Sequence, residues 1–178
     1  TGEESRTQFA VVLFAGLIVH SLFAVVINRA PQLVLGNVNY VKKVVFPLEI
    51  LPVIQLVAAA FHGLVSVVVL LVAKLLFTGS VPVTALFFPL VIFPLLILIL
   101  GLSWALASLG VFARDVGQTI GLITSVMLFM SPVFFPIKSL PEPLQPWMRL
   151  NPLTFMIEQV REVLVWGHMP QWSGLLLY

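Results

Sequence analysis

Side chains able to do chemistry are few in this chain, and they fall in separate places. Lys42, Lys43 and Glu49 share one polar stretch, Arg114 and Asp115 form a short link, and Glu142, Glu158, Arg161 and Glu162 lie in a third region. The last group is the one acid–base cluster that a membrane-embedded glycosyltransferase or polymerase would need near one face. Glu158 and Arg161, at i,i+3 of a helical pattern, are explained more simply as a surface pair contributing about 0.2–0.5 kcal/mol. His20, His62 and His168 stand far apart, no His-x-x-x-His or His-Glu pair occurs, and there is no cysteine, so neither a metal site nor a catalytic residue is expected. No Gly-x-x-x-x-Gly-Lys-[Ser/Thr] run is present, so ATP binding and enzyme activity are not expected of this chain, nor any cofactor of its own. Every Asp and Glu lies at or outside the end of an apolar run, which argues against a proton- or sodium-coupled carrier. Nine basic residues, spread along the chain, make no nucleic-acid face.

The elements that hold these residues are read from the gaps between charges. With 178 residues, 60% hydrophobic and 9% charged, and a mean hydropathy of +1.12, the chain cannot present a solvated surface or remain disordered. It is a membrane protein by composition. Charge-free runs cover 7–28, 50–73, 75–113 and 116–137. A hydrocarbon core about 30 Å thick takes roughly 20 helical residues, so three of these runs fit one span each. The longest holds the turn cluster Thr78-Gly79-Ser80-Val81-Pro82 and then one long helix. The expected spans are about 8–28, 51–74, 84–112 and 116–137, in an all-α polytopic bundle. The runs are apolar on every side, without the alternation of transmembrane strands. The opening Thr-Gly-Glu-Glu-Ser-Arg and the closing Trp172-to-Tyr178 stretch, the start of a further span, read as the cut ends of a fragment. Alternating spans put 29–50 and 113–115 on one side. Basic residues are denser in 29–50 than in 138–170, which favours 29–50 as cytoplasmic.

Segment 29–50 mixes apolar and polar positions between prolines, as a short interfacial helix would, and a plain basic loop fits equally well. Segment 138–170 is more structured. Ser139 and Glu142 form a capping-box pattern for a helix over about 141–149. Asn151 at N-cap with Pro152 at N1 starts another, with Leu153, Met156, Ile157, Val160 and Leu164 on one face and Thr154, Glu158, Arg161 and Glu162 on the other. Gly167 suits the position after its C-cap, and Trp147, Trp166 and Trp172 suit a membrane-interface belt. The pattern is a re-entrant or interfacial helical hairpin. Within the spans, His20 and His62 read as helix–helix hydrogen-bonding groups, or alternatively as the lining of a path. Phe87, Phe88, Phe93, Phe134 and Phe135 could stack on sugar rings or pack against neighbours. Pro89 and Pro94, then Pro132 and Pro136, should kink or break their helices, and a break near Ser131-Pro132 would suit a gate.

Four runs, in order, resemble one group: Asn39-Tyr-Val-Lys-Lys-Val-Val-Phe-Pro-Leu-Glu-Ile-Leu-Pro52, Val111-Phe-Ala-Arg-Asp-Val-Gly117, Ser131-Pro-Val-Phe-Phe-Pro136, and Asn151-Pro-Leu-Thr154 through Glu158 and Arg161. They resemble the ABC-2 type permeases, and among them the exporters of O-antigen, capsule and teichoic acid. The resemblance covers nearly the whole chain, with Tyr40 standing where the pattern has Leu. It implies a six-span subunit of the bacterial inner membrane that pairs with a second copy and with two copies of a separate ABC ATPase, which holds the ATP and Mg. Spans two to five would be complete here, with the first missing and the last cut. Asn39, Tyr40, Lys42, Lys43, Phe46, Pro47 and Glu49 would then belong to a cytoplasmic coupling segment docking on the ATPase. Arg114 and Asp115 would form a second cytoplasmic turn. Pro132, Phe134, Phe135, Asn151, Pro152, Glu158 and Arg161 become candidate channel and gate residues on the periplasmic side, for a polysaccharide or lipid-linked glycan. Export of a lipid or drug by the same fold is the alternative, and a carrier or membrane-embedded glycan enzyme a more distant one.

Overall fold

The computed structural model describes residues 2–37, 47–134, 145–149 and 151–178. Asn39, Tyr40, Lys42, Lys43, Phe46, Phe135, Pro136 and the Ser139–Glu142 capping box lie outside the described residues, as does the side chain of Trp147. Every regular element among the described residues is helical. The order is α1 (Gly2–Arg29), a 3-10 turn (Ala30–Gln32), α2 (Leu33–Gly36), α3 (Ile50–Thr78), a 3-10 turn (Val83–Phe87), α4 (Phe88–Phe112), α5 (Val116–Phe129), α6 (Gln145–Arg149), α7 (Pro152–Arg161), a π-helical turn (Glu162–Trp166) and α8 (Trp172–Leu177).

Helix α1 is the axis of the bundle, packed by α3, α4, α5 and α7. Its most apolar stretch is 56% buried, against 22% for α3 and 28% for α4. Val11, Ala15, Ile18, Val19, Leu22 and Val26 repeat at helical spacing along its inner stripe and are all buried. The outer faces of α3 and α4 carry exposed Val57, Phe61, Leu76, Leu90, Phe93 and Ile97. An exposed apolar face of this extent would aggregate in water and suits lipid. Lipid tails are as apolar as these side chains, so close van der Waals packing and interhelical hydrogen bonds hold the bundle. Gly110 shows how close: a Cβ there would sit 1.9 Å from the Pro31 carbonyl oxygen, so α4 lies directly on the turn that follows α1.

Among the described residues three helical stretches are long and apolar enough to cross a membrane: 6–36, 50–78 and 83–112. Helix α3 ends on Gly79 in the left-handed region (φ 67°), whose N–H reaches the Leu75 carbonyl. Pro82 is extended, and the chain enters α4 through a 3-10 turn. Pro89 therefore falls in the first turn of α4, where its missing N–H costs nothing, and does not break the helix as expected. Pro94 sits inside a helix that continues through it.

The largest departure from the expected spans is α5. Instead of running over 116–137 it is helical for 14 residues, Val116–Phe129, or about 21 Å. That is shorter than a hydrocarbon core of about 30 Å. Pro132 has no N–H to continue the ladder, and the Ser131 hydroxyl donates to the Met127 carbonyl at 2.6 Å, competing with the helical bond. The chain turns over 131–134 instead, with Ser131, Pro132 and Val133 buried.

Candidate functional site

The turn that ends α5 is held by α7. The sequence around 151–161 starts a helix for local reasons: the Asn151 side chain accepts from the Leu153 N–H at 3.0 Å, and Pro152 supplies a preset φ at the first position. The same Asn151 amide donates to the Ser131 hydroxyl at 2.8 Å. One residue thus caps α7 and ties it to the end of α5. Thr154, a turn on, donates to the Met148 carbonyl at 2.6 Å and fastens α6.

At the far end of α7, Arg161 is 5% exposed. Its Nη2 donates to the Val133 carbonyl at 2.7 Å and its Nε to the Val12 carbonyl at 3.1 Å. The guanidinium joins α7, α1 and the 131–134 turn in one clasp. Gly16 makes room for it, since a Cβ there would lie 2.9 Å from Nη2 and 3.2 Å from the Val133 Cα. This corrects the surface-pair reading of Glu158 and Arg161. Glu158 is exposed and acts on Arg161 electrostatically, but the arginine bonds to main-chain carbonyls inside the protein. The expected apolar face of α7 is buried as read, yet Thr154 and Arg161 on the other face are buried too, as is Gln159. The helix is wrapped by α1, α4 and the turn, so its polar groups find acceptors within the protein and not in solvent.

The carbonyls that end α7 and its π-helical turn are satisfied from two other helices' ends. Lys74 donates to the Leu164 and Val165 carbonyls at 3.2 and 2.6 Å, and Thr84 donates to the Val163 carbonyl at 2.7 Å. A cation is favourable there, because unpaired carbonyls concentrate negative potential at a helix C-terminus. Gly167 closes the turn in the left-handed region (φ 75°), with the His168 N–H on the Glu162 carbonyl. On the surface His168 Nδ1 and the Glu162 carboxylate are 2.5 Å apart.

His20 makes the helix–helix contact expected of it: Nε2 lies 3.2 Å from the Thr124 carbonyl, and the Thr124 hydroxyl is 2.8 Å from Asn28 Oδ1. His62 lines a groove of about 240 Å³ between α1 and α3, with Phe14, Ser21 and Ser66. Of the aromatic candidates, Phe134 stacks on Phe129 with centroids 6.0 Å apart, Phe87 meets Trp172 edge-on at 5.8 Å, Phe88 is buried and Phe93 faces outward. At the opposite end of the bundle Pro47 and Glu49 are exposed, and the Glu49 carbonyl accepts from the Trp104 indole N–H at 3.0 Å. Glu49 shares a cavity of about 700 Å³ with Val34, Trp104 and Phe112. The exposed Arg114 and Asp115 come just after Phe112 and Ala113, so this link and Glu49 lie at the same end.

A family model for the ABC-2 type transporter matches residues 1–165, from α1 into the π-helical turn. The chain belongs to the ABC-2 type transporter family. Among curated proteins no sequence match is found. As an ABC-2 chain it is a membrane protein and the permease component of an ABC exporter, a family whose ATPase is normally a separate subunit. Within this permease, sequence reasoning brought Asn151, Pro152 and Arg161 to notice but missed Gly16, Lys74, Thr84 and Trp104 as structural partners. Lys74 did carry a signal: it is the sole charge between Glu49 and Arg114. Gly16 and Thr84 had none, because small and hydroxyl residues are common throughout membrane helices.

Proposed function

We propose that this permease exports a polysaccharide or lipid-linked glycan across the bacterial inner membrane, as a dimer driven by two copies of a separate ABC ATPase. The ATPase would hold the ATP and Mg, and would push on the Asn39–Glu49 segment, with Lys42, Lys43 and Glu49 as its polar contacts and Arg114-Asp115 beside them. The observation that carries the reading is the interrupted helix at Ser131–Phe134, clasped by Asn151 and Arg161. A polymer of polar sugars needs a passage where backbone and side chains offer hydrogen bonds or aromatic faces, because lipid offers neither. In this reading the bonded turn that ends the short helix is the closed arrangement, and release of the clasp would give the open one. Coupling then requires that the ATPase bind the two arrangements unequally. The glycan cargo rests on the Val41-to-Pro47 run and on the stacked Phe129 and Phe134, and an ABC-2 exporter of a lipid or drug is the rival with the same fold.

The test is purification of the subunit from its native membrane, with mass spectrometry of the proteins and glycans that come with it, alongside a strain lacking it. A stoichiometric partner with a phosphate-binding Walker A motif and glycan trapped in the cytoplasm are expected. Intact subunit without an ATPase would move the reading to a carrier or membrane enzyme. A partner ATPase with normal surface glycan would favour the lipid or drug exporter.

A further inference from the structure

Lys74 does more than close a helix end. Its side chain lines a cavity of about 500 Å³ formed by the first turns of α1, the last turns of α3 and the π-helical turn, with Thr7, Gln8, Thr78, Ser80 and Trp166 around it. The residue is 9% exposed, and its bonded acceptors are two neutral main-chain carbonyls. An ammonium has three donors, so among the described residues one N–H remains beyond those two bonds. No carboxylate lines the cavity among the described residues. Among the described residues the lining therefore offers a positive charge, hydroxyl and amide groups, and no carboxylate. Helix length argues for headgroup depth. Helix α3 is 29 residues, about 43 Å, which exceeds a hydrocarbon core of about 30 Å, and Lys74 lies in its last two turns. Trp166, 45% exposed at the rim, is the residue type that marks this level of a bilayer.

We propose that this cavity binds the phosphodiester of an anionic membrane phospholipid, with Lys74 as the cation and Ser80 and Gln8 as further donors. A basic pocket between helix ends at headgroup depth recognises an anionic lipid by charge and hydrogen bonding together. Because Lys74 also holds the Leu164 and Val165 carbonyls, a bound lipid would brace the π-helical turn and, through α7, the clasp at Arg161. The proposal does not depend on the cargo: its failure leaves the exporter reading intact, and the reverse.

The experiment uses the transporter subunit in nanodiscs of phosphatidylcholine containing a minor fraction of phosphatidylglycerol, followed by native mass spectrometry of retained lipid. Phosphatidylglycerol should be retained over phosphatidylcholine by about tenfold relative to its abundance. Ser80→Asp places a carboxylate in the cavity without touching the bonds of Lys74, and should abolish that preference, whereas Ser80→Asn should keep it. Equal retention of the two lipids by the unaltered protein would overturn the proposal, whatever the variants do. So would an unchanged preference in Ser80→Asp. Displacement of phosphatidylglycerol by millimolar inorganic phosphate would assign the cavity to a soluble anion instead and overturn the lipid assignment.

Discussion

Gly16→Ala tests the clasp more sharply than removal of the arginine does. The added methyl would meet Arg161 Nη2 at 2.9 Å, the Val133 Cα at 3.2 Å and Ile157 Cγ2 at 3.5 Å. The guanidinium cannot swing aside freely, because it is pinned by the Val12 and Val133 carbonyls. Overpacking of this kind costs about 1–3 kcal/mol. Against it stands the gain of Ala over Gly inside a helix, about 0.8–1.0 kcal/mol. The net expectation is a loss of about 1 kcal/mol, which for a chain of this size is an apparent Tm lower by about 2–4 °C. In an Arg161→Met background the pinned nitrogen is gone, and a flexible thioether can yield. There Gly16→Ala should be neutral or raise the midpoint, giving a coupling of at least about 0.5 kcal/mol between the two positions. The assay is thermal unfolding of the four proteins in nanodiscs at one scan rate, since unfolding of such a protein need not be reversible. A Gly16→Ala shift that is the same in both backgrounds refutes the reasoning, because the clasp would then not be what fills the space above Gly16.

Other substitutions separate the remaining contacts. Asn151→Ala removes a cap of about 0.5–2 kcal/mol together with the bond to Ser131, of about 0.5–1.5 kcal/mol, whereas Asn151→Ser keeps the cap alone. Serine should recover about half of the alanine loss in thermal unfolding, and a serine variant as unstable as the alanine one would mean the cap is not formed. Gly110→Ala drives a Cβ into the Pro31 carbonyl and should cost about 3 kcal/mol or more. Gly121→Ala, which meets nothing within 4 Å, should be neutral or stabilising by up to about 1 kcal/mol, so equal losses at the two glycines would contradict the packing of α4 on the turn after α1. Reversing the charge of Lys42 and Lys43 together should weaken ATPase binding and export in pull-down and transport assays; unchanged binding would remove them from the coupling interface. Replacing Phe134 and Phe135 by Ala should slow export more than it lowers the amount of assembled complex. Parallel loss of both would make these rings packing residues.

Much of this architecture was legible in the charges. The runs without them marked α1 and α3 to within about five residues, and with the turn cluster at 78–82 they placed α4, because a lipid-facing helix of that length can carry almost no ionised group, and nothing in that argument depends on which helix touches which. Asn151-Pro152 and Gly167 announced both ends of the α7 region through local backbone chemistry alone. The extent of α5 was not legible in the same way. Its charge-free run continues to position 137, and the helix stops at Phe129 because a proline, a serine hydroxyl and a distant arginine all act at one turn. Nor did the spacing of Glu158, Arg161 and Glu162 show that Arg161 is buried. An amphipathic pattern tells which residues share a face, while what covers that face is decided by helices more than a hundred residues away in sequence, here α1 with Val12 and Gly16. Lys74 makes the same point from the other side: its charge was visible, but the carbonyls of Leu164 and Val165 that accept it come together with it only when the chain has folded. Apolar run length acts through the surrounding lipid and can be read one segment at a time. A buried cation needs named acceptors, and those come from tertiary structure.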